Sequence, residues 1–250
     1  MDLDLSEDQK MLKTVARDFL AKECPKKFVR QMEEDETGYS KELWLKMAEL
    51  GWLGLPFPEE YGGGGGSFLD LVVLLEEMGR ACLPGPFFST IVLGGLPILE
   101  AGSKQQKKQF LPAIARGEIF TLALTEADGG YHAPSMETRA IADKDDYIIS
   151  GTKLFVPDAH IADYLLCLAR TKEGVTLFIL GSKSQGISCT LLNTIASDKQ
   201  CEVAFDKVRV PKGNILGEPE QGWRVIEKTL QWAAVAKCAE ILGGAEQVLE

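Results

Sequence analysis

FTLALTEADGGYH, residues 120–132, is where the sequence changes its rule. Before it, apolar residues recur at the spacing of a helix face; after it they alternate, as in strands. The chain therefore reads as α+β: an N-terminal all-α helical bundle, then an antiparallel β-barrel or sandwich, then the start of a further helical domain. Residues 121–125 read as a short half-buried strand, and Glu126, Ala127, Asp128, Gly129 and Gly130 as a sharp turn out of it. Two adjacent glycines accept positive φ and can aim successive backbone N–H groups into one concavity, which suits a phosphate or pyrophosphate. An ordinary strand-ending loop uses the same residues, so the turn alone leaves both readings open.

Upstream, Ser6 and Gln9 form a capping-box signature, and Met11, Leu12, Val15, Ala16, Phe19 and Leu20 follow on one helical face that should end near Pro25. A charged connection at residues 31–39 leads to Ser40, the N-cap of a second helix stopped by Gly51. Five consecutive glycines, residues 62–66, cannot stay helical without a large entropic cost, and no Walker sequence follows, so they read as a connector. Ser67 opens a third helix, apolar nearly all round and hence central, whose end Gly79 should loosen. Residues 86–102 predict a buried helix interrupted near Gly94, Gly95 and Pro97. Ser103 and Gln106 then cap an amphipathic helix that closes the bundle.

Downstream, residues 136–142, 147–156, 164–169, 175–180, 186–191 and 202–210 are short runs rich in β-branched and aromatic residues, with turns expected at Asp145-Asp146 and Ser150-Gly151. Beyond Pro219 the helical period returns. That last helix carries many small residues, which permit close helix approach, and an apolar face that asks for a partner. The expected domains are residues 1–119 (helical), 120–218 (β) and 219–250 (the first helix of a C-terminal helical domain whose remainder is absent).

A hydrophobic share of 45% with 26% charged residues places the chain among globular proteins. Its net charge of -10 argues against binding a nucleic-acid backbone, whose affinity comes from basic side chains. Six scattered cysteines without a CxxC pair fit reduced, buried thiols better than disulfides or zinc. His132 and His160 are two lone loop histidines, too few for a metal site. No basic-then-apolar leader opens the sequence, and the longest apolar run is too short to span a bilayer, so a cytoplasmic protein with no membrane or nucleic-acid partner is expected.

The order of several segments carries more than any one motif. PAIARGE, ALTEADGG, DYIISGTKLFVPDAHIADYLLCLAR and CEVAFDKVRVPKGNILGEPEQGW, with PEEYGGGG before them, strongly resemble the acyl-CoA dehydrogenase family over the whole chain. The resemblance implies a helical domain, a β-barrel domain and a C-terminal helical domain. It also implies an FAD enzyme of fatty acid metabolism that desaturates an acyl-CoA thioester between its α and β carbons. There a carboxylate removes the α-proton while the β-hydrogen leaves as hydride to the flavin. An electron-transfer flavoprotein as acceptor and a homo- or hetero-oligomer are further implications.

Carried over by position, Leu122, Leu124 and Thr125 would line the flavin, with Thr125 donating to its pyrimidine side. Gly130 and Tyr131 would lie where the turn meets the FAD pyrophosphate and the thioester end of the substrate. Phe155 matches an aromatic residue, usually Trp, that packs on the ring, and Pro157 stands where a Thr or Ser reaches N5. From spacing alone, Leu122, Leu124 and Phe155 read equally well as strand core.

Three positions depart from the pattern. Tyr131 replaces a small hydroxyl residue, Pro157 offers neither hydroxyl nor N–H, and Gln231 occupies the position where some relatives carry a catalytic Glu. The base is then expected beyond Glu250, with Glu227, Glu240, Glu246 and Glu250 as solvated helix charges. The alternative reading is a non-catalytic or flavin-deficient subunit of a heteromeric dehydrogenase. A flavin monooxygenase on the same scaffold is a third.

Overall fold

The computed structural model describes residues 4–128 and 135–250. Its first half is helical: α1 (Glu7–Glu23), α2 (Lys26–Glu34), α3 (Lys41–Glu49), α4 (Phe68–Arg80), a π-helix (Phe88–Gly95), α5 (Leu96–Ala101) and α6 (Lys104–Ala115). The serines read as caps all act. Ser6, Ser40, Ser67 and Ser103 each accept from the backbone three residues on, and three of them complete reciprocal capping boxes. Part of the charged connection is helix instead: Pro25 ends α1 and starts α2, as proline suits a helix start. The glycines at 62–66 form a loop pinned by backbone bonds from Gly64, Gly65 and Gly66 to Gly54, Phe57 and Leu55.

The second half is an eight-stranded, mostly antiparallel sheet. Its strands are β1 (Phe120–Ala123), β2 (Arg139–Asp143), β3 (Asp146–Pro157), β4 (Tyr164–Arg170), β5 (Val175–Gly181), β6 (Ile187–Leu192), β7 (Gln200–Pro211) and β8 (Ile215–Leu216). The order is β6-β7-β3-β2-β4-β5-β8, with β1 lying parallel to β4. The sheet is thus mixed where alternation alone predicted antiparallel strands. The expected half-buried strand is fully buried, because the π-helix covers it: Phe120 N donates to Thr90 Oγ1 at 3.3 Å. The hairpin turn is Lys144-Asp145, one residue earlier than read, and Ser150-Gly151 lies at a bulge inside β3. Gln106 Nε2 donates to the carbonyls of Gly213 and Ile215, fastening α6 to the start of β8.

α7 (Gly222–Leu249) returns to the helical half and packs along α4. Gly79 does not loosen α4; it is where α7 crosses. A Cβ on Gly79 would stand 2.0 Å from Glu240 O, and one on Gly243 would stand 1.8 Å from Glu76 O, so both backbones touch only because both residues lack side chains. Val235, Ile241 and Leu242 remain exposed on α7. Among the described residues no helix is long and apolar enough to cross a membrane.

Candidate functional site

β1, β3 and the residues just beyond β1 carry the predicted cofactor-binding residues that fall within the described chain. Leu122 is buried within β1, Leu124 is buried just beyond it, and Thr125 is half-buried. Thr125 O accepts from Leu154 N at 2.8 Å, which sets the end of this stretch beside β3. Between Lys153 and Val156 the pairing of β3 with β7 slips, and in that bulge Phe155 takes φ 54 with 55% of its surface exposed. A bulge of this kind re-aims a side chain, here turning a strand residue out of the core. Left-handed backbone at a large non-glycine residue costs free energy, and so does an exposed apolar ring; both point to a site.

Pro157 ends β3, and its carbonyl accepts from Thr121 Oγ1 at 2.6 Å. It offers neither a hydroxyl nor an N–H to a ligand. Gly130, Tyr131 and His132 lie outside the described residues. Gln231 is exposed on α7 and does not line the cavity described below.

A polar clamp that local sequence patterns do not reveal lies beside this stretch. Lys153, 0% exposed on the inward side of β3, places Nζ 2.7 Å from Glu126 Oε1 and 3.2 Å from Leu124 O. Glu126, 5% exposed, also accepts from Glu137 N at 2.5 Å and Thr138 N at 3.0 Å. Burial pushes the Glu126 pKa up, but the bonds from Lys153, Thr138 and Glu137 outweigh it and hold the carboxyl below its usual range. The clamp joins residues 124–126 to 136–138, on both sides of the turn. The only signal was a lysine at an inward strand position, which demands an acid somewhere in the fold.

A cavity of about 640 Å³ lies next to Pro157, between α2, α4, the π-helix, the loop after β6 and α7. Its size is that of a small-molecule pocket. Apolar walls come from Met78 and Leu83, and polar ones from Ser89, Asp158, Lys237 and Glu240. Ser89 Oγ donates to Asp158 Oδ2 at 2.5 Å. Burial nevertheless raises the Asp158 pKa to about 6. Glu240 is not the solvated charge expected: burial raises its pKa against the pull of Lys237, with which it pairs. Lys237 Nζ also sits 3.9 Å from the centre of the Phe88 ring. His160 is partly buried too, with Nε2 3.1 Å from Thr37 O. Cys24, Cys167 and Cys201 are buried as expected, whereas Cys82, Cys189 and Cys238 are exposed; all six thiols are free. Among the described residues no cluster could hold a metal ion.

A helical half joined to a mostly antiparallel sheet, with an exposed aromatic on β3 and a cavity walled by α2, α4, the π-helix, α7 and the end of β3, is an α+β fold of the helix-then-sheet kind. The family models for the acyl-CoA dehydrogenase N-terminal domain and middle domain match residues 6–118 and 121–208. The chain is 30% identical to a probable acyl-CoA dehydrogenase, YngJ, of Bacillus subtilis, with all of this chain and 68% of the relative covered. It is 31% identical to subunit CarC of the caffeyl-CoA reductase-Etf complex of Acetobacterium woodii, covering 98% of this chain and 67% of that one.

Among solved structures, butyryl-CoA dehydrogenase from Megasphaera elsdenii matches with a TM-score of 0.89 at 30% identity, over 100% of this chain and 68% of that chain. A glutaryl-CoA dehydrogenase from Mycobacterium smegmatis in complex with FADH2 matches with a TM-score of 0.87 at 26% identity, over 97% and 64%. The chain belongs to the acyl-CoA dehydrogenase family, whose members are FAD-dependent oxidoreductases acting on CH–CH groups. It spans about two thirds of the length of the relatives it matches.

Proposed function

We propose that this chain carries the flavin face of an acyl-CoA dehydrogenase, which desaturates an acyl-CoA thioester between its α and β carbons. The observation that carries the reading is Phe155, an exposed ring held at positive φ beside Thr125 at the seam. An aromatic face of this kind suits a planar cofactor ring. Bound FAD would supply the hydride acceptor. Phe155 would pack on its ring, Thr125 would donate to the pyrimidine side, and Leu122 and Leu124 would back that contact. Gly130 and Tyr131 are assigned to the pyrophosphate and thioester end. Pro157 would border the ring without a hydrogen bond of its own.

The clamp of Glu126 and Lys153 holds the Thr125 end of the wall in place. The residue that takes the α-proton is assigned beyond Glu250. The domain limits 1–119, 120–218 and 219–250 belong to the same reading. So do an electron-transfer flavoprotein as acceptor, supported by the Etf complex named for one relative, a homo- or hetero-oligomer, and work in the cytoplasm, which free thiols favour.

Anaerobic addition of acyl-CoA to the FAD-loaded protein should bleach the flavin and release enoyl-CoA, detected by mass spectrometry. A flavin that stays oxidised with every acyl-CoA chain length argues for the second reading, a non-catalytic subunit. Pro157 and the exposed Gln231 favour that reading, and co-purification with a complete dehydrogenase chain would support it.

A further inference from the structure

β6 is an edge strand of the sheet, and it sets an exposed cysteine, Cys189, beside a buried one on β7, Cys201. In the β6–β7 register Cys189 stands opposite Val203 and Leu191 opposite Cys201, so the cysteines share a face of the sheet as diagonal neighbours. His160 joins them from the loop after β3: its Nδ1 lies 3.7 Å from Cys201 Sγ, and its Nε2 lies 3.1 Å from Thr37 O. A carbonyl only accepts, so Nε2 carries the proton, and the neutral ring turns the lone pair of Nδ1 toward the Cys201 thiol. The proposed flavin reaction uses none of these side chains.

Together they form a relay. Cys201 can give its proton to His160 or point it at Cys189, and a hydrogen bond from Cys201 lowers the Cys189 pKa against the effect of burial, leaving more thiolate at the exposed sulfur. Diagonal neighbours stand about 7–8 Å apart at Cα, wider than an unstrained disulfide allows, so a bond between them draws the edge strand inward. Among the described strands β6 pairs with β7 alone, and is held on one side only. A disulfide closed in this way is strained and exposed, which makes it easily reduced and suits a reversible bond rather than a structural one.

We propose that Cys189 and Cys201 are a reversible redox pair, oxidised to a disulfide by hydrogen peroxide, with His160 as the base for the second step. The Cys189 thiolate attacks a peroxide oxygen and breaks the O–O bond, giving Cys189 sulfenic acid and hydroxide. Cys201 then passes its proton to His160 Nδ1, and its thiolate attacks the Cys189 sulfur. The S–S bond forms as the S–O bond breaks, and the departing hydroxide takes the proton and leaves as water. The electron pair lost by the sulfurs is the pair gained by the peroxide. The bond closes the β6–β7 hairpin, whose loop residues 196–199 wall the cavity beside Pro157. This assignment is independent of the dehydrogenase reading.

Mass spectrometry of the fully reduced whole chain, treated with an equivalent of hydrogen peroxide and then blocked with N-ethylmaleimide, tests it. The Cys189–Cys201 bond should form in about fivefold or greater excess over any other pairing, and more selectively than in urea, where only closeness along the chain favours it. Reduced glutathione should reverse it. Cys201→Ser should leave Cys189 as a sulfenic acid that dimedone traps, and Cys189→Ser should abolish both products. His160→Gln should slow disulfide formation about tenfold or more without slowing the sulfenic step, a split that a packing defect does not produce. Pairing no more selective than in urea, dimedone labelling of Cys82 or Cys238 ahead of Cys189, or a bond that glutathione leaves intact overturns the proposal. An unchanged second step in His160→Gln overturns the role of the imidazole.

Discussion

At the residue scale, Phe155 carries two local costs together: a left-handed backbone and a ring more than half in water. Glycine pays no steric cost at φ 54. Phe155→Gly should therefore leave the free protein equally stable or up to about 1 kcal/mol more stable, while weakening FAD binding about tenfold or more. Urea denaturation and a flavin titration read the two effects separately; parallel losses would mean the ring serves the fold.

Asp158 gives a residue-scale pH prediction. Its folded pKa, about 6, exceeds the unfolded value of about 3.9, so the native state binds the proton more readily. The penalty of the partly buried charge is present above that folded value and fades as pH falls through it. Asp158→Asn should raise Tm at pH 8, with the gain shrinking toward pH 4. The aromatic type at 155 was legible in sequence; its exposure was not, because a bulge is set by pairing with β7, which alternation along one strand does not reveal.

At the scale of elements, the β1–β3 clamp and the α4–α7 crossing decide whether the seam holds. Lys153→Met strands Glu126 as a buried charge and should cost about 3–5 kcal/mol. The double change with Glu126→Gln should recover much of it, both followed by denaturant unfolding. The pair also sets a pH direction: with the folded Glu126 pKa lowered, its contribution is full above the unfolded carboxylate range and is lost as pH falls through the folded value.

At the crossing, Gly243→Ala would drive a methyl into Glu76 O and should cost about 1–3 kcal/mol or more. Gly244→Ala meets only Gly79 O at 3.5 Å and should be neutral or stabilise by up to about 1 kcal/mol, as alanine favours helix. Equal Tm shifts for the two variants would deny the close approach. The caps, the small residues of α7 and most strands were readable from local patterns. The parallel partner of β1, the role of Gly79 and the Glu126–Lys153 bond were not, since each is made by residues far apart in sequence.

At the scale of the whole molecule, the order of a helical half, a sheet and a returning helix follows from the change of period at residues 120–132, and that order is what the family shares. The site is less legible than the fold. Its residue types can be carried over by position, but the cavity beside Pro157 takes walls from five separate elements and the loops between them, and it turned Glu240 from an expected surface charge into a cavity wall.

On the proposed reading, Phe155 and Thr125 form one face for a planar flavin ring. Titrating the purified chain with FAD while following flavin fluorescence and absorbance tests it most directly. Binding should be saturable, perturb the flavin spectrum and weaken about tenfold in Phe155→Ala. A colourless protein that leaves the FAD spectrum unchanged, or one whose FAD affinity is indifferent to that substitution, would contradict it.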